Sequence, residues 1–166
     1  MSRWRKPVTM LIVEDNPGDA VLFQAFFRQE PRVTQFHVVS DGEEALDFLY
    51  RREQYAAAPR PDILIVDINI PKIDGKDLVR EVKQDPKLRT IPLIVLTSSE
   101  NEEDVRRCYE YGANCVLIKA ADVDQASVLF ELIESFWVNA VRLISSAPTL
   151  LPASDREEPV LRKDVQ

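Results

Sequence analysis

Acidic residues stand directly behind two short apolar runs of this sequence, where a buried strand would end. Glu14 and Asp15 follow residues 8–13, and Asp67 follows residues 62–66. Two further apolar runs end in hydroxyl or ammonium side chains, namely Thr97, Ser98 and Lys119. If these runs are parallel strands, their carboxyl ends meet at one edge of a sheet, and the polar side chains lie together there.

Such a group of side chains favours one kind of chemistry. Three carboxylates placed together repel one another unless a cation is present, and oxygen ligands suit Mg²⁺. A carboxylate beside Mg²⁺ and a lysine can attack phosphorus, because aspartyl phosphate is an established covalent intermediate. The metal, Lys119 and Thr97 would hold the three phosphoryl oxygens. We therefore predict phosphoryl transfer to Asp67, without a bound nucleotide, because the sequence has no glycine-rich phosphate loop.

Each of these residues also has an ordinary structural explanation. Asp67 could cap the chain after a strand, Thr97 could be a β-branched strand residue, and Lys119 could be a surface lysine. The adjacent acids at the end of the first run could simply precede a helix, but two buried acids are costly without a cation. The combination at several strand ends favours the functional interpretation.

Short apolar runs alternate with helical patterns along the chain. The predicted strands are residues 8–13, 35–39, 62–66, 92–97 and 115–119, and the predicted helices are residues 17–29, 42–52, 75–85, 101–111 and 122–145. All strands but the second are nearly continuous apolar runs, which indicates burial on both faces in a parallel sheet covered by helices. The predicted fold is a three-layer α/β sandwich.

Bulk composition limits the possible classes of function. The chain has 166 residues, of which 45% are hydrophobic, and this size and composition fit one folded domain. Its net charge of -7 argues against binding to the phosphates of nucleic acid. It has no apolar run long enough to span a membrane and no signal-type segment, so we expect a cytoplasmic protein without a membrane partner. The single histidine, His37, argues against His-based zinc sites and hydrolytic triads.

Taken in order, the strand-end motifs resemble the receiver domain of two-component response regulators over residues 8–145. The resemblance implies a doubly wound, flavodoxin-like sheet with strand order 2-1-3-4-5 and five helices. It also implies that Asp67 takes a phosphoryl group from the histidine of a partner sensor kinase and later loses it by hydrolysis. Such domains are signalling modules rather than metabolic enzymes.

The resemblance also implies a role for each residue of the site. Asp67 is the phosphoacceptor, Asp15 a direct ligand of Mg²⁺, and Glu14 acts on the metal mainly through water. Asn69 would offer its backbone carbonyl to the metal together with the Asp67 carboxylate. The residues expected to contact the phosphoryl group are Thr97, Ser98 and Lys119.

A narrower similarity is carried by "VEDNPGDA", "DPKLRTIPLIVLTSS" and "ESFWVNAVRL". These segments, with "YAAAPRPDILIVDINIPKIDG" between them, resemble the small response regulators paired with phytochrome-type histidine kinases. The similarity implies that the partner kinase is of the bacteriophytochrome type.

Two departures from the family pattern leave alternatives open. Val116 stands where the family usually has an aromatic residue that turns inward on phosphorylation, and Ala120 stands where proline usually follows the lysine in a cis peptide. A cis bond without proline costs about 3–4 kcal/mol. The chain could therefore be a degenerate receiver that serves as a constitutive scaffold. A haloacid-dehalogenase-like phosphatase is disfavoured, because Asn69 replaces the general acid of those enzymes.

The last predicted helix carries more apolar surface than one sheet requires. Its apolar positions sweep about 180°, whereas covering a sheet needs about 100°. The surplus around Phe130, Trp137 and Val141 predicts a homodimer through the faces of the fourth and fifth helices, unless the same chain covers it. Residues 1–7 would be an N-terminal extension. The proline-containing residues 146–166 would form a disordered tail or an arm across the partner subunit.

Overall fold

The computed structural model describes residues 6–119 and 121–144. Five strands alternate with five α-helices along this part of the chain. The strands are β1 (Val8–Val13), β2 (Val33–Val39), β3 (Ile63–Asp67), β4 (Leu93–Thr97) and β5 (Cys115–Ile118). The helices are α1 (Pro17–Phe27), α2 (Gly42–Tyr50), α3 (Gly75–Gln84), α4 (Glu102–Glu110) and α5 (Val123–Ile133), with a 3-10 turn at Glu53–Tyr55 and a π-helical segment at Glu134–Ala140.

The strands form one parallel sheet in the order β2-β1-β3-β4-β5, which confirms the predicted topology. Alternate residues of each strand enter two separate hydrophobic layers. Leu11 and Val13 of β1 pack with residues of α2, α3 and α4, whereas Met10 and Ile12 pack with residues of α1 and α5. The strand order reverses between β1 and β3, and a ligand crevice is expected there, beyond their carboxyl ends.

The end of the last helix differs from the prediction. The 3.6-residue period predicts one helix over residues 122–145, but α5 ends at Ile133 and the chain continues as a π-helical segment to Ala140. Within that segment the Val138 carbonyl accepts a hydrogen bond from the Arg32 guanidinium. Arg32 lies before β2, so this contact depends on the tertiary fold and cannot be inferred from local periodicity.

The prediction that Phe130 belongs to an exposed surface is wrong. Its ring centroid lies 4.3 Å from that of Phe23 and 5.4 Å from that of Phe26, and the residue is only 6% exposed. Phe130 therefore faces α1. A helical-wheel projection of α5 alone contains no information about this neighbouring helix. Trp137 and Val141 are half-buried. The exposed apolar side chains on this side of the fold include Val128, Leu132 and Phe136.

Several predictions fall outside the described residues. They concern residues 1–5 of the N-terminal extension, Ala120 with its peptide bond to Lys119, and the tail at residues 146–166. Within the described ranges, no helix is both long enough and apolar enough to cross a membrane.

Candidate functional site

The register of the sheet brings the strand-end residues together. Val13 of β1 pairs with Val66 of β3, so the next residues, Glu14 and Asp67, leave neighbouring strands side by side. β4 and β5 continue the same edge. Asp67 pairs with Leu96 of β4, and the next residue, Thr97, pairs with Ile118 at the end of β5. The polar residues at the ends of β3 and β4 and directly after β1 and β5 therefore occupy one end of the sheet.

Lys119 is the centre of this group. Its ammonium Nζ lies 2.6 Å from Glu14 Oε2, 2.7 Å from Asp67 Oδ2 and 2.9 Å from Asp19 Oδ2. The Glu14 side chain is 1% exposed, that of Asp67 8% and that of Lys119 16%, so the ion pairs are largely removed from water. Such pairs are screened much less by salt than exposed pairs are.

The second oxygen of each buried carboxylate is held by the backbone. The Asn69 amide donates to Asp67 Oδ1 at 3.0 Å, and the Asn16 amide donates to Glu14 Oε1 at 3.0 Å. Each carboxylate is thus fixed by a backbone N–H on one oxygen and by Lys119 on the other. The predicted phosphoacceptor is consequently oriented before any phosphoryl donor arrives.

Burial and ion pairing act in opposite directions on the charges of the site. Burial raises the pKa of Glu14, and its hydrogen bonds with Lys119 and the Asn16 amide only partly offset that rise. Burial alone would lower the pKa of Lys119, but its hydrogen bonds to Asp67, Glu14 and Asp19 outweigh that effect and raise the pKa. Lys119 is therefore charged at neutral pH, and the carboxylates around it favour additional positive charge.

The acidic residues also fit a metal ion. Oxygen atoms of Glu14, Asp15 and Asp67 all lie within 4.8 Å of one another. Asp15 and Asn69 are exposed at the mouth of the site, where a hydrated ion can approach. An all-oxygen set open to solvent suits a hard divalent cation that keeps several waters, as Mg²⁺ does.

The predicted hydroxyl residues have different environments. Thr97 is fully buried, and its Oγ1 accepts a hydrogen bond from the Ser99 amide at 2.9 Å, so the hydroxyl keeps its own proton to donate. Ser98 is exposed beside it. Val116 is half-buried against the core, and its amide donates to the Tyr109 hydroxyl at 3.1 Å.

Asp19 is the site residue that strand-end reasoning missed. It lies in the first turn of α1, where Asn16 caps the helix and accepts from the Asp19 amide at 3.2 Å. An acid at this position is ordinarily explained by the helix dipole. The only sequence signal for Asp19 is its place in the acidic string "EDNPGD" that follows β1.

Comparison with known proteins decides the family. The family model described as "Response regulator receiver domain" matches residues 10–131, a span that contains all the residues of the site. The chain belongs to this family. The fold and the resemblance predicted from the sequence are thereby confirmed, and a single receiver domain is a signalling domain.

This receiver domain is similar to small phytochrome-associated regulators, as its sequence motifs predict. It is 37% identical to response regulator Rcp1 of Synechocystis sp. over 137 residues, which cover 82% of this chain and 93% of Rcp1. The solved Mn(2+)-bound form of Rcp1 superposes with a TM-score of 0.81, covering 84% of this chain and 100% of that one. The phosphorylated cyanobacterial phytochrome response regulator RcpA also has a TM-score of 0.81, at 36% identity, with 84% and 99% of the two chains covered.

Proposed function

We propose that this receiver domain is a phosphoacceptor of a two-component phosphorelay and that Asp67 carries the phosphoryl group. The observation that supports this most directly is the Lys119 ammonium held between Asp67 and Glu14, at 2.7 and 2.6 Å, beside the carboxylates that could hold a metal. A structural ion pair would need only one carboxylate per lysine. Here a buried cation, a fixed nucleophile and an open oxygen-rich pocket occur together.

The transfer step follows from these positions. A carboxylate oxygen of Asp67 forms a bond to phosphorus, the bond from phosphorus to the kinase histidine nitrogen breaks, and that nitrogen keeps the electron pair. Lys119 and Thr97 donate to phosphoryl oxygens as negative charge spreads over them. Mg²⁺, when bound, would neutralise further charge on the same oxygens. Its ligands would be Asp15, Asp67 and the Asn69 carbonyl, with Glu14 acting through water.

We infer that the phosphoryl donor is a phytochrome-type histidine kinase. The support is the similarity, over more than four-fifths of the chain, to regulators of which one is named a phytochrome response regulator. We place the domain at residues 8–145 and its action in the cytoplasm, in keeping with the two free cysteines, Cys108 and Cys115. Its output would be contact with another protein.

Intact-mass measurement after incubation with acetyl phosphate tests the phosphoacceptor proposal. We expect wild type to gain one phosphoryl group with Mg²⁺ and none with a chelator, and Asp67→Asn to gain none. Asp85→Asn is the matched control, since Asp85 is an aspartate outside the site that accepts from the Tyr50 hydroxyl. It should gain the group as wild type does.

The same experiment decides between the proposal and the scaffold alternative suggested by Val116 and Ala120. Folded wild-type protein that gains no phosphoryl group, with Mg²⁺ and a donor shown to be active on another receiver, would favour a constitutive binding scaffold. An equal gain by Asp67→Asn would place the modification elsewhere and overturn the assignment of Asp67.

We also propose that the domain forms a homodimer through α4, β5 and α5. β5 is an edge strand of the sheet, and Ile118 at its end is 52% exposed. Val128, Leu132 and Phe136 are 57%, 60% and 56% exposed and follow one another at helical spacing. Tyr109 of α4 lies over β5 and adds a half-exposed ring. A second copy of the chain would cover this apolar face, with residues 146–166 as an arm across it.

Sedimentation of a charged variant tests the dimer. Leu132→Asp places a carboxylate at the centre of the proposed interface, and we expect the dimer dissociation constant to rise at least about a hundredfold. Val21→Asp is the control, because Val21 is equally exposed, at 62%, but belongs to α1, which joins β1 to β2 at the edge of the sheet opposite β5. A wild-type monomer at high micromolar concentration, or dissociation by both variants alike, would contradict the proposed face.

A further inference from the structure

Each of the three N–H donors of the Lys119 ammonium already has an acceptor. An ammonium group has three N–H donors, and three carboxylates, those of Glu14, Asp67 and Asp19, lie at 2.6, 2.7 and 2.9 Å from Nζ. A phosphoryl group on Asp67 can receive a hydrogen bond from Lys119 only if one of these contacts is exchanged. Which contact is kept therefore affects the rate of the transfer.

Asp19 differs from the other two carboxylates in position and burial. Its side chain is 36% exposed, compared with 1% for Glu14 and 8% for Asp67. It comes from α1 rather than from a strand end, and the Asn16 cap holds its amide. Together with Lys119 it lines a pocket of about 160 Å³ between α1 and α5, and the lining of this pocket does not include the carboxylates of the candidate metal site.

We propose that Asp19 is a positioning residue that keeps the Lys119 ammonium in place while its contact with Asp67 passes to a phosphoryl oxygen. With Asp19 present, Lys119 divides its donors among three acceptors, and the contact with Asp67 can pass to a phosphoryl oxygen while Asp19 and Glu14 keep the ammonium in place. Without Asp19, the ammonium is shared by Glu14 and Asp67 alone, so more of its charge neutralises the nucleophile and less holds the ammonium beside the phosphoryl group. This inference rests on the proposed phosphorylation of Asp67.

The rate of phosphorylation after removal of the Asp19 carboxylate distinguishes a positioning role from a purely electrostatic one. Removing a negative charge near the site should attract an anionic phosphoryl donor and speed the reaction if Asp19 acts only as a charge. If Asp19 positions Lys119, Asp19→Asn should instead slow phosphorylation at saturating donor and Mg²⁺ by about tenfold. The loss should persist in 1 M salt, where charges are screened beyond about 3 Å.

The experiment compares four proteins by phosphorylation rate with acetyl phosphate: wild type, Asp19→Asn, Asp19→Glu and Asp124→Asn. Asp124 is an exposed carboxylate in the first turn of α5 and controls for loss of one charge. We expect Asp19→Glu to recover most of the rate, because it restores the carboxylate, and Asp124→Asn to match wild type. A rate for Asp19→Asn equal to or above that of wild type would overturn the proposal.

A second measurement decides the question without phosphorylation. Proton exchange of the Lys119 ammonium with water, followed by ¹⁵N NMR, should accelerate at least about fivefold in Asp19→Asn and stay unchanged in Asp124→Asn, because hydrogen bonds protect the ammonium protons. Unchanged exchange in both variants would overturn the inference. If wild type gains no phosphoryl group, the proposed function fails, and the exchange rates still decide whether Asp19 holds Lys119.

Discussion

Replacing Lys119 by methionine is expected to slow phosphorylation of Asp67 by about a hundred- to a thousandfold. Methionine keeps most of the aliphatic stem but removes the only ammonium that contacts Asp67 and Glu14 among the described residues. The rate should be measured by intact mass with acetyl phosphate and Mg²⁺. Lys76→Met is the control, because Lys76 pairs with Asp104 at 2.7 Å outside the site, and it should react as wild type does.

The same variant should become less stable as the pH rises. Removing one partner of a buried pair costs about 3 kcal/mol, and Lys119→Met leaves Glu14 buried without its cation. Burial already raises the pKa of Glu14, and loss of the hydrogen bond to Lys119 raises it further. The folded state then retains a proton that the unfolded state has lost. Stability is therefore present below the unfolded pKa of about 4.5 and is lost as the pH rises through the folded value.

Urea unfolding of Lys119→Met at pH 5 and pH 8 measures this effect. We expect a larger free energy of unfolding at pH 5 than at pH 8, relative to Lys76→Met at the same two pH values. Addition of Mg²⁺ at pH 8 should restore part of the loss, because a divalent ion stabilises the charged carboxylates. The same pH profile in both variants would show that Lys119 does not neutralise Glu14.

Gly75→Ala is expected to destabilise the protein by about 3 kcal/mol and to reduce phosphorylation at least about tenfold. Gly75 begins α3, and its amide donates to the Ile68 carbonyl at 2.9 Å. A Cβ at this position would lie 2.6 Å from Ile68 Cα and 2.8 Å from its carbonyl oxygen, and would also collide with the Asp67 carbonyl. These are backbone atoms that cannot move without displacing Asp67, the proposed phosphoacceptor.

Gly18→Ala is the control for that substitution. A Cβ at Gly18 would meet only the side-chain oxygen of Asn16, at 3.2 Å, and alanine favours a helix over glycine by up to about 1 kcal/mol. We expect a change within about 1 kcal/mol by urea unfolding, with an unchanged phosphorylation rate. If Gly75→Ala were as stable and as reactive as Gly18→Ala, close packing of α3 against the end of β3 would not matter.

Most of the fold and part of the site could be predicted because both depend on short sequence segments. Continuous apolar runs indicate strands buried on both faces, and a parallel sheet has only one edge at which their carboxyl ends can meet. Glu14 and Asp67 come directly after predicted strands and Lys119 is the last residue of one, so their proximity follows from the topology alone.

What could not be predicted depends on contacts between distant segments. Asp19 reaches Lys119 from a helix, and a first-turn acid has an adequate local explanation. Phe130 is buried because the rings of α1 pack against it, and the π-helical segment includes a carbonyl bound by Arg32. In each case the deciding partner lies far away in the chain.

The main chain of Lys119 lies next to the edge strand of the sheet. Lys119 is the first residue after β5, the strand that borders the exposed apolar face, and its amide donates to the carbonyl of Thr97 in β4 at 2.8 Å. A phosphoryl group that takes over the contact between the ammonium and Asp67 would shift Lys119, and with it the main chain at the end of β5. Information about the chemical state of Asp67 could then reach the outer strand through the main chain, without the rotating aromatic ring that Val116 replaces.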